Sequence, residues 1–348
     1  MENTTMKNTT LNGELYHTGQ VIEFWLRAKN NSTFWILDGP LNAIICITVI
    51  VLNVLFLIVL QRKEMRSVTS FVLSAIAVAD LLRALISVPV SLYICVPYFK
   101  SYTPYHWCVY LKMPFFTVTR MLNTSSVWLT LYLGVLRYIS VCHPMKAKLW
   151  CRYKIVIRVV TIIFVISLVL FVTDFFMTKI TPVVSWNDEE KGNVSLCLAD
   201  LMDMWHNYFY TQIILKIIFV QIIPCVGLLL ITCKLVYTIK SAAKSREAMS
   251  QQFSSRKNES RQSTLLLIVI LIAFLIFEIP HTIFQVFTLL TIYETSHLFD
   301  FLLSYLNIFD TILIQILFIT STFNFCIYCT MGTKFRLTLR KILFFNKK

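Results

Sequence analysis

Charged side chains are scarce here: Asp, Glu, Lys and Arg together make up 14% of 348 residues. That excludes the polar skin of two or three soluble domains. Acids are scarcer still, 18 against 32 Lys and Arg, which leaves a formal charge of +14. The basic residues lie in short segments between apolar runs, so membrane topology accounts for them better than nucleic acid does. The start, "MENTTMKNTTLNGELYHTG", lacks the apolar core of a cleaved signal peptide, and the first membrane helix is expected to direct insertion. The ten cysteines read as scattered, without the CxxC spacing of a zinc site. Most lie inside apolar runs, as small buried residues do. There are no repeats and no low-complexity domain. No Ser/His/Asp arrangement or metal set falls in a pocket, so the chain is not expected to be an enzyme.

What the chain has is apolar mass: 57% of residues, 27 of them phenylalanine. Crossing about 30 Å of hydrocarbon takes roughly 20 residues. Spans are predicted over 41–60, 68–94, 109–139, 155–177, 208–236, 264–290 and 301–329, with 1–39 before the bundle and 331–348 after it. The connections after the first, third, fifth and seventh spans hold 19 Lys and Arg, from Arg62 to Lys348, and the opposite set holds six. The imbalance puts the C-terminus inside and the N-terminus outside, which requires an odd number of spans. Acids fall the other way, among them "NDEE" at 187–190. Glycosylation sequons at Asn3, Asn8, Asn30, Asn31 and Asn193 agree with that orientation. Asn123 and Asn258 match the same pattern at positions expected to be buried and cytoplasmic.

Ionisable groups in hydrocarbon are costly, so each one marks a candidate site. Asp80 lies midway along the second span, where Asn53, Ser126, Ser321 and Asn324 would join it in a polar cluster able to hold a cation or waters. A static packing network is the alternative. Arg120 precedes Arg137 by 17 residues, roughly 25 Å of helix. Glu278 and Asp310 stand at similar heights on the sixth and seventh spans. With Arg83, Lys216, Gln212 and Gln315 they would line an outward pocket carrying both charge signs; alternatively Arg120 or Arg83 would form salt bridges with Glu278 or Asp310 in a cavity that never sees ligand. Pro224 and Pro280 lie inside spans and bend them.

The order of these features resembles a rhodopsin-type (class A) G-protein-coupled receptor, an all-α bundle of seven transmembrane helices with a short amphipathic eighth. "LRY" at 136–138 resembles the DRY element, "SAIAVADLL" carries the second-helix aspartate, and "NFCIY" at 324–328 resembles NPxxY. Phe335 falls where the eighth helix would lie on the membrane. "SSVWLTLYLGVLRYISVCHP" and "STLLLIVILIAFLIFEIPHTI" are similar to invertebrate receptors for amidated neuropeptides, the FMRFamide, myosuppressin and sex-peptide group, and to related nematode chemoreceptors. Glu278 and Pro280 stand where many receptors have the Trp and Pro of CWxP.

The resemblance implies a plasma-membrane receptor with a peptide ligand, a heterotrimeric G protein, arrestin and a receptor kinase as partners, the bilayer as its solvent, and no nucleic acid. It implies that Arg137, Tyr138, Pro224, Pro280 and Tyr328 switch activity, that Asp80 sits in a sodium pocket, with sodium the one candidate cofactor, and that Cys108 pairs with Cys197, Cys95 competing. Leu136 stands where the acid of DRY is expected, Phe325 replaces the NPxxY proline, and Lys112 occupies the usual position of the outer cysteine. A chemosensory receptor for a small molecule is the nearer alternative. A transporter or channel is the remoter one, since neither paired broken helices nor inverted halves are found.

Overall fold

In the computed structural model, which describes residues 36–95, 113–187, 192–201, 206–248, 255–292 and 298–343, seven helices are long and apolar enough to cross a membrane. They are α1 (Leu37–Leu60), α2 (Val68–Cys95), α3 (Met113–Cys142), α4 (Tyr153–Met177), α5 (His206–Lys216 continuing through Ile217–Ile222 and Ile223–Ala248), α6 (Ser255–Ile292) and α7 (Leu298–Met331). Between 22% and 50% of each span's most apolar stretch is buried in the bundle. The remainder, with Ile44, Val51, Ile162, Val165 and Leu230 all at least half exposed, is apolar and faces outward. In water that girdle would be a liability, and in lipid it is solvated.

Several helices run past their predicted ends. α5 continues to Ala248 and α6 starts at Ser255, because backbone hydrogen bonding does not stop where the apolar run does. Ser67 caps α2, its hydroxyl accepting the Ser70 N–H at 3.0 Å. α5 carries a π-helical turn, Ile217–Ile222, directly before Pro224. Proline has no N–H to give, and the wider turn absorbs the defect. Pro89 and Pro280 also lie inside helices. Among the described residues outside the bundle, two elements are strands. β1 (Thr178–Asn187) and β2 (Gly192–Leu201) form an antiparallel hairpin between α4 and α5, with Pro182 opposite Cys197 and Trp186 opposite Asn193. Cys108 and the sequons at Asn3, Asn8, Asn30 and Asn31 lie outside the described residues.

At the end of the bundle away from the hairpin, α7 passes through Gly332 into α8 (Thr333–Leu343). A Cβ at Gly332 would lie 2.7 Å from the Tyr328 carbonyl oxygen, so the junction closes only around glycine. α8 turns Phe335, 1% exposed, into a ring cluster with Phe56, Phe325 and Tyr328, at centroid distances of 5.4 to 5.9 Å. That cluster belongs to the main core, which also holds Leu73, Leu129, Leu133, Leu136 and Leu267. Phe335→Ala should therefore cost about 3 kcal/mol. The thermal melting temperature of detergent-solubilised protein should fall clearly, while Leu337→Ala, on the face 60% exposed, should leave it nearly unchanged.

Candidate functional site

Asp80 and Arg83 are three residues apart on α2, which puts them on one helical face. Both point inward, at 3% and 5% exposure. They line an internal cavity of about 30 Å³ together with Asn123 and Ser126 of α3, Glu278 of α6, and Ser321 and Asn324 of α7. A space of that size holds a water or two. The Arg83 guanidinium donates to the Asn123 side-chain oxygen and, at 3.4 Å, to the Leu317 carbonyl. Its Nη2 lies 4.0 Å from Asp80 Oδ1, and its centre is 4.3 Å from the Phe318 ring centroid. Glu278, 2% exposed, interacts electrostatically with Arg83, and its Oε1 has no hydrogen-bond partner among the described residues.

This joins groups that the sequence reading kept apart. Arg83 and Glu278 were expected in an outward pocket, and both instead line the Asp80 cavity. Asn53 does not line it: its amide donates to the Val49 carbonyl of its own helix at 2.9 Å. Asn123, read only as a sequon, is a principal partner of Arg83. The signal was available in its position, one turn before Ser126 on a buried face. A diffusible cation at Asp80 would sit beside a fixed guanidinium. Two like charges 4 Å apart repel by roughly 4 kcal/mol at an effective dielectric of 20. The cavity as built does not fit the sodium ion that the resemblance implies.

A second polar layer lies nearer the hairpin end. Lys216 of α5 forms an ion pair and hydrogen bond with Asp174 of α4, and its Nζ is 5.1 Å from the Phe171 ring centroid. Gln212 donates to Thr173 on the same pair of helices. Gln285 of α6 donates to Asp310 of α7 at 3.1 Å and lies 3.5 Å from the His281 ring nitrogen. Gln315 donates to the Leu37 carbonyl at 3.3 Å. Arg120 is exposed and within electrostatic reach of both Lys216 and Asp310. Asp174 and Gln285 escaped the sequence reading, although an acid near the end of the fourth span opposite Lys216 was there to be noticed.

At the α8 end, Leu136 is 4% exposed and packs in the core. The helix therefore turns an apolar side chain where a paired acid would stand beside Arg137. Arg137 interacts electrostatically with Tyr328. Tyr138 borders a groove of about 630 Å³ between α3 and α5, lined also by Val141, Cys142, His143, Cys233, Lys234, Tyr237 and Thr238. Lys234 Nζ is 5.7 Å from the Tyr138 ring centroid. Contrary to the expectation of no CxxC spacing, Cys326 and Cys329 form one CxxC around Tyr328 on α7, and no metal-binding group of three or more His, Cys, Asp or Glu occurs among the described residues.

A seven-span bundle with polar layers in its interior and a groove at one end is the architecture of a serpentine membrane receptor. Residues 40–346 match the family described as serpentine type 7TM GPCR chemoreceptor Srw. The chain belongs to that family of G-protein-coupled receptors, signalling receptors of the plasma membrane rather than enzymes. It is 29% identical over 343 residues to the sex peptide receptor of Drosophila melanogaster, covering 90% of this chain and 76% of that one. It is 28% identical over 332 residues to sex peptide receptor-related protein 2 of Caenorhabditis elegans, covering 88% and 71%. The Drosophila melanogaster FMRFamide receptor is 26% identical over 333 residues, and there the match covers 93% of this chain but 56% of the relative.

The Lys216–Asp174 pair should couple α4 to α5. Lys216→Met and Asp174→Asn are each expected to lower the melting temperature, and the double variant to lose less than their sum. A double-mutant cycle should return a coupling of about 1 kcal/mol, and strict additivity would show that the pair contributes nothing.

Proposed function

We propose that this receptor binds an extracellular peptide, amidated at its C-terminus, in the polar layer at the hairpin end and activates a heterotrimeric G protein at the α8 end. The hairpin end then faces outward, as the basic connections at the other end suggest, and α8 lies on the inner leaflet. The observation that carries this reading is the hairpin-end layer. Arg120, Asp310 and the Lys216–Asp174 pair offer charges of both signs around a bundle whose relatives include receptors named for peptides. A peptide brings a backbone, a charged amine and basic side chains, and complementary charge speeds and orients its encounter. Asp310 would take a basic group of the peptide, and Arg120 an acidic or carbonyl oxygen.

Binding would shift a two-state bundle toward the form in which the groove beside Tyr138 opens. Pro224 with its π turn in α5 and Pro280 in α6 are the places where those helices are least constrained by their own hydrogen bonds. Arg137 and Tyr328, within electrostatic reach of each other, would separate or re-pair as the groove changes. Arrestin and a receptor kinase would meet the same end, the kinase acting on serines in "SREAMSQQFSSRKNES". The matched family's description favours a second reading, in which the same layer takes an environmental small molecule.

G-protein activation in cells expressing the receptor, screened against a panel of amidated peptides, separates the two. A peptide response is expected, abolished by Arg137→Ala at matched surface expression. Asp310→Asn should shift the half-maximal concentration by about tenfold, the equivalent of 1.4 kcal/mol. Silence to every peptide, with a response to small volatile or water-borne compounds, would favour the chemosensory reading instead.

A further inference from the structure

We propose that Arg83 is the resident cation of the Asp80 cavity, so that the site takes no sodium ion and the receptor is indifferent to sodium. The guanidinium is anchored from three helices. It grows from α2, donates to Asn123 on α3 and to the Leu317 carbonyl on α7, and rests on the Phe318 ring. From that position its Nη2 lies 4.0 Å from Asp80 Oδ1. A hard cation needs several free oxygen ligands arranged around it. Here the Asn123 oxygen already accepts from Arg83, and Asp80 accepts from the Ser126 hydroxyl and faces a charge it cannot lose.

The second carboxylate strengthens the case. Glu278 reaches the same cavity from α6, is 2% exposed and leaves Oε1 without a partner among the described residues. Arg83 is the basic side chain lining the cavity with both acids, so one tethered cation serves α2 and α6 together. A diffusible ion can be diluted away, whereas a tethered one has a fixed local concentration. The tie among α2, α3, α6 and α7 therefore does not depend on the salt outside. It also means that removing the arginine, rather than the salt, is what would make the site a sodium site: Asp80 and Glu278 would then be two buried carboxylates with no counter-charge.

The test is the melting temperature of purified full-length receptor in sodium chloride and in choline chloride at equal ionic strength. The natural protein is expected to melt at the same temperature in both. A higher value in sodium overturns the proposal. Arg83→Met is expected to melt lower in choline and to recover part of the loss in sodium, with the recovery abolished in Arg83→Met/Asp80→Asn. Arg83→Lys, which keeps a tethered charge, should stay indifferent to sodium. Where Arg83→Met does not accumulate, Arg83→Gln replaces it, and the comparison in the natural protein still decides. An arginine-free variant that folds but gains no sodium response overturns the assignment of Arg83 as the cation.

Discussion

The guanidinium of Arg83 lies 5% exposed in the interior of a helix bundle, and the helices around it supply what water would otherwise supply. Burying a charge costs several kcal/mol unless it is paired and hydrogen-bonded. Asp80 offers the opposite charge, the Asn123 side-chain oxygen and the Leu317 carbonyl accept its hydrogen bonds, and the Phe318 ring packs against it. Those partners come from α2, α3 and α7, so satisfying one side chain fixes the relative position of three helices. Glu278 adds a fourth, through charge rather than a hydrogen bond. The middle of the bundle is organised around this one requirement.

Away from this cavity and the hairpin-end polar layer, the helices are held by shape. Among the close approaches, a Cβ on Gly227 of α5 would lie 3.1 Å from Leu131 of α3, so a small residue lets the two backbones come together. At the α8 end, rings do the packing. Phe325, which stands in place of a helix-bending proline, and Phe335 from α8 close over Tyr328. Leu136, in place of an acid, extends the same core. Two departures from the receptor pattern thus act in one direction, replacing a polar or kinked element with apolar contact. The end that would meet a G protein accordingly has a core leucine where the receptor pattern puts an acid, with Tyr138 bordering the groove.

Much of this was legible in the chain. Seven apolar runs gave seven spans, since membrane thickness sets a length that sequence alone can count. Asp80, Ser126, Ser321 and Asn324 line one cavity, as their similar heights on three spans suggest. Arg83 and Glu278 line this cavity rather than an outward pocket. Both are long side chains, and height along a helix fixes where a Cα lies but not which way the rest of the side chain reaches. Asn53 was misjudged for the opposite reason: its short side chain returned to its own backbone. The hairpin between α4 and α5 was not anticipated, because pairing between two loop segments leaves no periodic apolar signature.

The sequence by itself determined how many times this protein crosses the membrane, roughly where each helix lies, and which ionisable residues must find partners there, because each of those follows from local composition and the cost of charge in hydrocarbon. Which partner each charge takes was decided only by tertiary structure. Lys216 pairs with Asp174, and Arg83 turns to Asp80 and Asn123 rather than outward. Those choices depend on the packing and rotation of helices far apart in the chain, and no single helix encodes the face its neighbour will present.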